Sequence, residues 1–422
     1  MNSFLQRVLP PTPLARKLSA QSVLFAVGTG VFITGNAVFF TQIVGLSATQ
    51  VGIGLSISGV VVFLLAVPMG KLADRFGPKR MWAIGAFLEA TAFLCYPLIH
   101  GFGAFVTILV VLAAVDANGS AGRGAYTIDA FPRAERVRSM AFMRSALNIG
   151  FTIGALMGGL ALATGSDDVI RAVPWLTAGI LFLNALLVTR LPDAVHQQPD
   201  DAPTSATPTE ALVTPTALRN RGFVVLGLMN GVLSTNQVLL NVVVPLWLVE
   251  RTDAPHVLLA WLFGTNTVMA VLLQVPAARG SDTVPGALRA TRLAAVCFVV
   301  SCGLIMVTHD TIGWVSIALI WLGHVTITGA ELYSSASSWG FQSELSDPTR
   351  RGEYQGVWRL GFQVETIVGP ALFTFLAISL GVVGWVLIAA IAVAAAVVMH
   401  PAARAAERYL AASTPRVPRM TP

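Results

Sequence analysis

Charge is scarce in this sequence. Asp, Glu, Lys and Arg make up 11% of 422 residues, against roughly 25% in soluble domains, so the chain cannot clothe a water-facing surface of its own size. Cysteine is nearly missing: Cys95, Cys297 and Cys302 all fall inside apolar runs, without metal-ligand spacing, where thiols pack as small hydrophobes. No metal and no cofactor is expected. Gly70-Lys71 lacks the spacing and the Ser/Thr of a phosphate-binding loop, which argues against ATP-driven work. No G-x-S-x-G elbow appears either, and an enzyme is not expected. The excess of basic residues, a formal charge of +6, lies in short segments between apolar runs, so nucleic acid is not the expected partner.

What is present is hydrophobicity: 55% of residues are apolar and the mean hydropathy is +0.72. Runs near twenty residues recur, the length that crosses about 30 Å of hydrocarbon. The pattern predicts an all-α polytopic membrane protein with twelve spans. Six lie at 21–44, 49–69, 81–100, 104–127, 140–163 and 172–190, and six at 222–248, 257–277, 290–308, 312–336, 357–379 and 381–399. The boundary between the last two is the weakest, because almost no loop separates them. The amino terminus is polar and basic (Arg7, Arg16, Lys17) and enters a span too long for a cleaved signal.

Lysine and arginine orient the spans. Of 27 such residues, Arg123 lies within a span, Arg171 and Arg251 fall on one side, and the remaining 24 fall on the other. Both termini are therefore expected in the cytoplasm of a cell whose inner or plasma membrane holds the protein. The expected organisation is a six-helix bundle over 1–191, a Pro/Thr/Ala-rich cytoplasmic tether over 192–220, a second bundle over 221–400 and a cytoplasmic tail over 401–422 with little order beyond 412. The tether lacks the apolar content to build a core.

The most informative stretch is Val67-Pro68-Met69-Gly70-Lys71-Leu72-Ala73-Asp74-Arg75-Phe76-Gly77-Pro78-Lys79-Arg80, pinned between spans two and three. A weaker copy, Val275-Pro276-Ala277-Ala278-Arg279-Gly280-Ser281-Asp282, lies 208 positions later. Two related halves of six spans form the architecture in which bundles rock about a site at the midplane. Gly70, Leu72, Ala73, Asp74, Arg75, Gly77, Lys79 and Arg80 resemble the signature loop of the major facilitator superfamily. That resemblance, with the helix count and the half-repeat, covers the whole chain. It implies the pseudo-two-fold, twelve-helix fold of that family, alternating access, and a monomer. Gly150, Gly154, Gly158 and Gly159 in span five resemble a glycine-rich motif of its drug-exporting members, with Ala155 where that motif has proline. Gly369-Pro370 carries a proline at the matching place in span eleven. Glycines four apart also serve ordinary close helix packing. The family's arginine motif in span four and acidic motif in span one are not matched.

Ionisable residues inside spans face a cavity or a partner. Asp116 and Arg123 lie two turns apart on span four, and adding 208 gives His324 and Glu331 on span ten. These four are expected to face a central cavity, with Arg123 and Glu331 pairing across it either as a functional contact or as a static lock. Asp116, Glu331 and Glu365 are candidate proton carriers and His324 a possible relay. Glu365 is also a candidate gate residue, contacting Arg359 or the loop between spans ten and eleven. Glu89 reads as structural. Asn230, Asn236, Gln237 and Asn241 on span seven, Asn36 on span one and Asn266 on span eight are candidates for cavity lining, or for interhelical hydrogen bonds. In the signature loop, Asp74 is expected to cap a helix amino terminus or to pair with Arg138 or Arg144. Arg75, Lys79 and Arg80 are expected to engage Asp129.

The expected partners are a small-molecule substrate, protons and the lipid bilayer. The leading expectation is proton-coupled efflux of an amphipathic small molecule. The alternatives are proton-coupled uptake of a small metabolite and a receptor of the same fold that does not transport.

Overall fold

The computed structural model describes residues 10–193 and 216–413. The expectations for the tether and for the last residues of the tail lie outside them. The described residues form eleven apolar helical stretches long enough to cross a membrane. The last, Arg351–Ala412, has 62 residues, which as one helix would run about 93 Å, three times the hydrocarbon thickness. It reverses at Gly381, whose φ of 55° and ψ of −126° break the helix in a conformation that suits glycine. The result is twelve spans in this multi-pass membrane protein. We number them α1 (Pro13–Ile43), α2 (Ala48–Phe76), α3 (Pro78–Leu94), α4 (Gly101–Asp129), α5 (Arg136–Ala163), α6 (Asp167–Thr189), α7 (Arg221–Arg251), α8 (Leu258–Ala277), α9 (Val284–Val307), α10 (Trp314–Glu344), α11 (Arg351–Thr374) and α12 (Leu380–Ser413).

Helix α12 departs from the expected end of the bundle near 400: it continues through Pro401 to Ser413. The extension is held because Ala402, Ala403 and Ala406 are buried where α12 crosses α7 at Gly222, close enough that a Cβ there would lie 2.7 Å from the Ala402 carbonyl. Helix α7 is not one continuous helix. Thr235 and Asn236 turn their side chains onto the Val232 and Leu233 carbonyls at 2.6 and 2.7 Å, and a π turn follows at Leu239–Val243. Pro245 has no N–H to offer the carbonyl of Asn241, which accounts for the widened turn before it.

Each half has its own core. In the first, Phe32, Phe39, Phe40, Phe93, Tyr96 and Phe105 interlock edge to face and stacked, Phe32 and Tyr96 with centroids 4.9 Å apart. In the second, Phe223, Trp247, Tyr354, Trp358 and Trp385 are buried together. The glycine stripe of α5 packs within the first half, against α1: a Cβ on Gly154 would sit 2.9 Å from the Val31 nitrogen, and one on Gly158 would sit 3.0 Å from the Thr34 Cβ. Small residues let the two backbones meet.

The halves are knit together at one end. This is the basic end, which carries the α2–α3, α4–α5, α8–α9 and α10–α11 connections. There α2 crosses α11 backbone to backbone; a Cβ on Gly70 would fall 2.7 Å from the Gly352 carbonyl carbon, and one on Gly356 would fall 2.9 Å from Val67 Cα. Arg133 pairs with Glu344, and Arg136 Nη1 donates to Ser343 Oγ at 3.4 Å. Among the described residues, the hydrogen bonds and ion pairs between the halves fall at this end or at mid-depth.

Candidate functional site

Between the halves lies a cavity of two lobes, about 280 and 560 Å³, that share Arg144, Gln237 and Glu331. The small lobe, toward the basic end, is lined by Arg123, Asn236, Glu365, Trp339 and a serine ledge of Ser334, Ser335 and Ser338. The large lobe is lined by Phe151, Leu240, Leu259 and Phe263, with Asn148, Asn241, Asn266 and His324 among them. Apolar side chains here alternate with a dense set of amides, hydroxyls and charges, a concave mixed lining suited to a small molecule.

Glu331 is the junction. Its carboxylate accepts from Arg144 Nη2 of the first half at 3.4 Å and from Asn266 Nδ2 at 2.9 Å, and its side chain is 7% exposed. Asn266 also reaches Thr328 Oγ1 at 3.3 Å. One turn-pair away, His324 is 3% exposed and lines the large lobe.

The expected Arg123–Glu331 pair does not form. Arg123 turns back into its own half, donating to Ser22 Oγ at 3.3 Å under the rings of Phe25 and Trp82, whose centroids lie 5.4 and 6.0 Å away. Two aromatic faces hold the guanidinium there. Arg144, expected beside Asp74 in the gating loop, takes its place instead. It sits eight residues into α5, about 12 Å from the helix start, at cavity depth and on one stripe with Asn148 and Thr152. Asp116 lines neither lobe, because α11 runs alongside α4 at that depth and Arg359 captures the carboxylate. For the same reason Glu365 does not touch Arg359; it faces the small lobe, with Thr366 as its hydroxyl neighbour at 3.4 Å. Of the amides, Asn236, Gln237, Asn241 and Asn266 line the cavity. Asn230 is buried behind it at 1% exposure, and Asn36 is half-buried outside the lining.

The signature loop forms the closure at the basic end. Asp74, on the last turn of α2, accepts the first free amides of α11: Gly352 N–H to Oδ1 at 2.6 Å and Glu353 N–H to Oδ2 at 2.8 Å. A carboxylate on a helix amino terminus answers both the unpaired donors and the positive end of the helix. Glu353, buried at 1% exposure, holds Arg350 at 3.1 Å and Lys71 at 3.8 Å. Gly77, with φ of 93°, turns the chain into α3. The expected contacts of Asp129 with Arg75, Lys79 or Arg80 are replaced. Arg351, the first residue of α11, is carried onto the end of α4 and pairs with Asp129, both side chains nearly inaccessible at 6% and 4%. Lys79 instead meets Asp193 at 2.9 Å, and Arg75 lies 5.6 Å from the Phe76 ring centroid. Sequence reasoning missed Arg351 and Glu353 and gave Arg359 a different partner; the clustering of these charges at the start of α11 was the available signal.

Twelve spans in two halves, closed at one end around a mid-depth cavity, define a helical membrane transporter. The family model of the Major Facilitator Superfamily matches residues 18–343, and the chain belongs to that family. It is 27% identical over 357 residues to multidrug resistance protein MdtH of Proteus mirabilis, covering 83% of this chain and 84% of that one. Among solved structures, the human organic anion transporter MFSD10 superposes with a TM-score of 0.67 at 14% identity, over 92% of this chain and 100% of that one. FucP in its outward conformation gives 0.68 at 14%, over 93% and 98%.

Proposed function

We infer that this transporter exports an amphipathic small molecule in exchange for protons, with Glu331 as the proton carrier. The observation that carries the reading is the Arg144–Glu331 pair, a mid-depth ion pair that joins α5 of one half to α10 of the other inside the cavity. Charged, Glu331 ties the halves through Arg144. A proton on Glu331 removes that attraction, so occupancy by a proton and the arrangement of the halves are linked. Arg144 is the positioning cation, Asn266 orients the carboxylate, and Gln237 and Asn241 offer neutral polarity to the substrate. The apolar wall of Phe151, Leu240, Leu259, Leu262 and Phe263 in the large lobe and the similarity to a protein named for multidrug resistance support export.

The concentration of Lys and Arg at the closed end supports placing that end and both termini in the cytoplasm. The conformation is then outward-facing, the protein lies in the cytoplasmic membrane, and it acts as a monomer.

The test is accumulation of a panel of fluorescent amphipathic compounds in cells making the wild type or Glu331→Gln, with and without a protonophore. Lower accumulation in the wild type, lost with the protonophore and with the substitution, supports the reading. Higher accumulation in the wild type would replace export by uptake.

A further inference from the structure

Outside the central cavity, α9 and α12 leave a groove of about 690 Å³ on the outer face of the second half. Its lining runs in tiers, because residues seven or eight apart on each helix fall on one face. Arg292 and His400 form the tier nearest the basic end. Val296 and Val397 form the next, and Val300 and Val393 the deepest. From Arg292 to Val300 the α9 wall rises about 12 Å. None of the lining residues is acidic. Arg292, Val296, Val300, Val393 and Val397 are exposed.

The charge at the head of the groove continues outward. Arg289, one turn before Arg292, and Arg404, one turn after His400, are both exposed. Among the described residues, no carboxylate lies within ion-pair distance of Arg289, Arg292 or Arg404. Helix α12 runs thirteen residues past His400 to Ser413, about 20 Å, so this cationic tier stands where the apolar part of the helix gives way to its polar extension. An arginine at hydrocarbon depth is costly unless an anion or water meets it.

We propose that this groove is a binding site for one anionic phospholipid. The phosphodiester lies between Arg292 and His400, with Arg289 and Arg404 on its outer side. One acyl chain lies along the valine tiers. A basic notch between helices above an apolar furrow matches the two chemistries of such a lipid together. A zwitterionic phospholipid offers the same chains and the same phosphate, but its own ammonium competes with the arginines.

The test uses the full chain in detergent, with bound lipid read by native mass spectrometry and protection read by thermal unfolding. The probes are dioleoyl phosphatidylglycerol, dioleoyl phosphatidylcholine and inorganic phosphate. The expected result is one retained phosphatidylglycerol per chain, at least tenfold preferred over phosphatidylcholine. Arg292→Gln is expected to cut that preference to less than threefold, and Arg292→Lys to keep most of it. Val296→Trp, which fills the furrow and leaves the charges in place, is expected to remove the bound lipid. Because both positions face outward, these variants spare the packed interior. Equal retention of the two lipids, an unchanged preference in Arg292→Gln, protection by phosphate alone equal to that by phosphatidylglycerol, or a groove covered by a second copy of the chain would each overturn the proposal.

Discussion

The closure at the basic end hangs on Asp74, and its contribution can be worked from the geometry. The carboxylate accepts two amides of α11, at 2.6 and 2.8 Å, each a hydrogen bond to a charged acceptor worth about 1.5–3 kcal/mol. Asp74→Asn keeps one acceptor oxygen, now neutral, and sets an amide N–H₂ against the other backbone N–H, so about 1–2 kcal/mol is lost. Asp74→Ala loses both contacts, about 3 kcal/mol or more. These bonds exist only while α2 and α11 are together, so the loss falls on the closed state. At 1.4 kcal/mol per tenfold, Asp74→Asn should raise the ratio of open to closed basic ends about five- to thirtyfold, and Asp74→Ala a hundredfold or more. Spin labels on the α2–α3 and α10–α11 connections, read by double electron–electron resonance, report that ratio directly. Transport should fall while the protein still reaches the membrane. A distance distribution for Asp74→Ala that matches the wild type would refute the latch.

Other consequences follow from the same contacts. Asp129→Ala, which leaves Arg351 buried without its carboxylate, should destabilise the closed state by about 3–5 kcal/mol; the double variant with Arg351→Ala should recover part of that in a thermal-unfolding cycle. Gly154→Ala should cost about 1–3 kcal/mol by overpacking α5 on α1, whereas Gly159→Ala, which meets open space, should be neutral in the same melt. Asp116→Asn should leave proton coupling intact, since its carboxylate pairs with Arg359 outside the cavity; proton flux equal to that of an inactive carrier would contradict this.

Much of the architecture was legible because the bilayer imposes it. Span lengths, the reversal near 380 and the two-fold repeat follow from hydrocarbon thickness and backbone satisfaction, which act locally on sequence. The 208-residue offset picks out His324 and Glu331, and both line the cavity. It also puts Arg123 at the small lobe, but not Asp116, and it does not give Arg123 its partner, because repeat arithmetic fixes depth and face but not the neighbour. Arg359 and the pair of rings Phe25 and Trp82 come from other helices, and no local pattern announces them. Arg138 and Arg144 read alike in the sequence as partners for Asp74, although Arg144 lies deep enough in α5 to meet Glu331. Of the two partners the sequence leaves open for Asp74, a helix amino terminus or an arginine, the structure has the amides of α11, a chemistry that is general for an acid. The identity of its partner helix depended on the tertiary fold.

The most direct test of the account is proton movement in proteoliposomes holding the purified protein, with a pH-sensitive dye inside and a transported compound from the cell panel added outside. The account predicts a substrate-driven proton flux opposite to the substrate in the wild type. In Glu331→Gln that flux should disappear while downhill substrate exchange continues. Coupled proton flux persisting in Glu331→Gln would contradict the assignment of Glu331 as the carrier. Proton flux in the same direction as the substrate would contradict export by exchange.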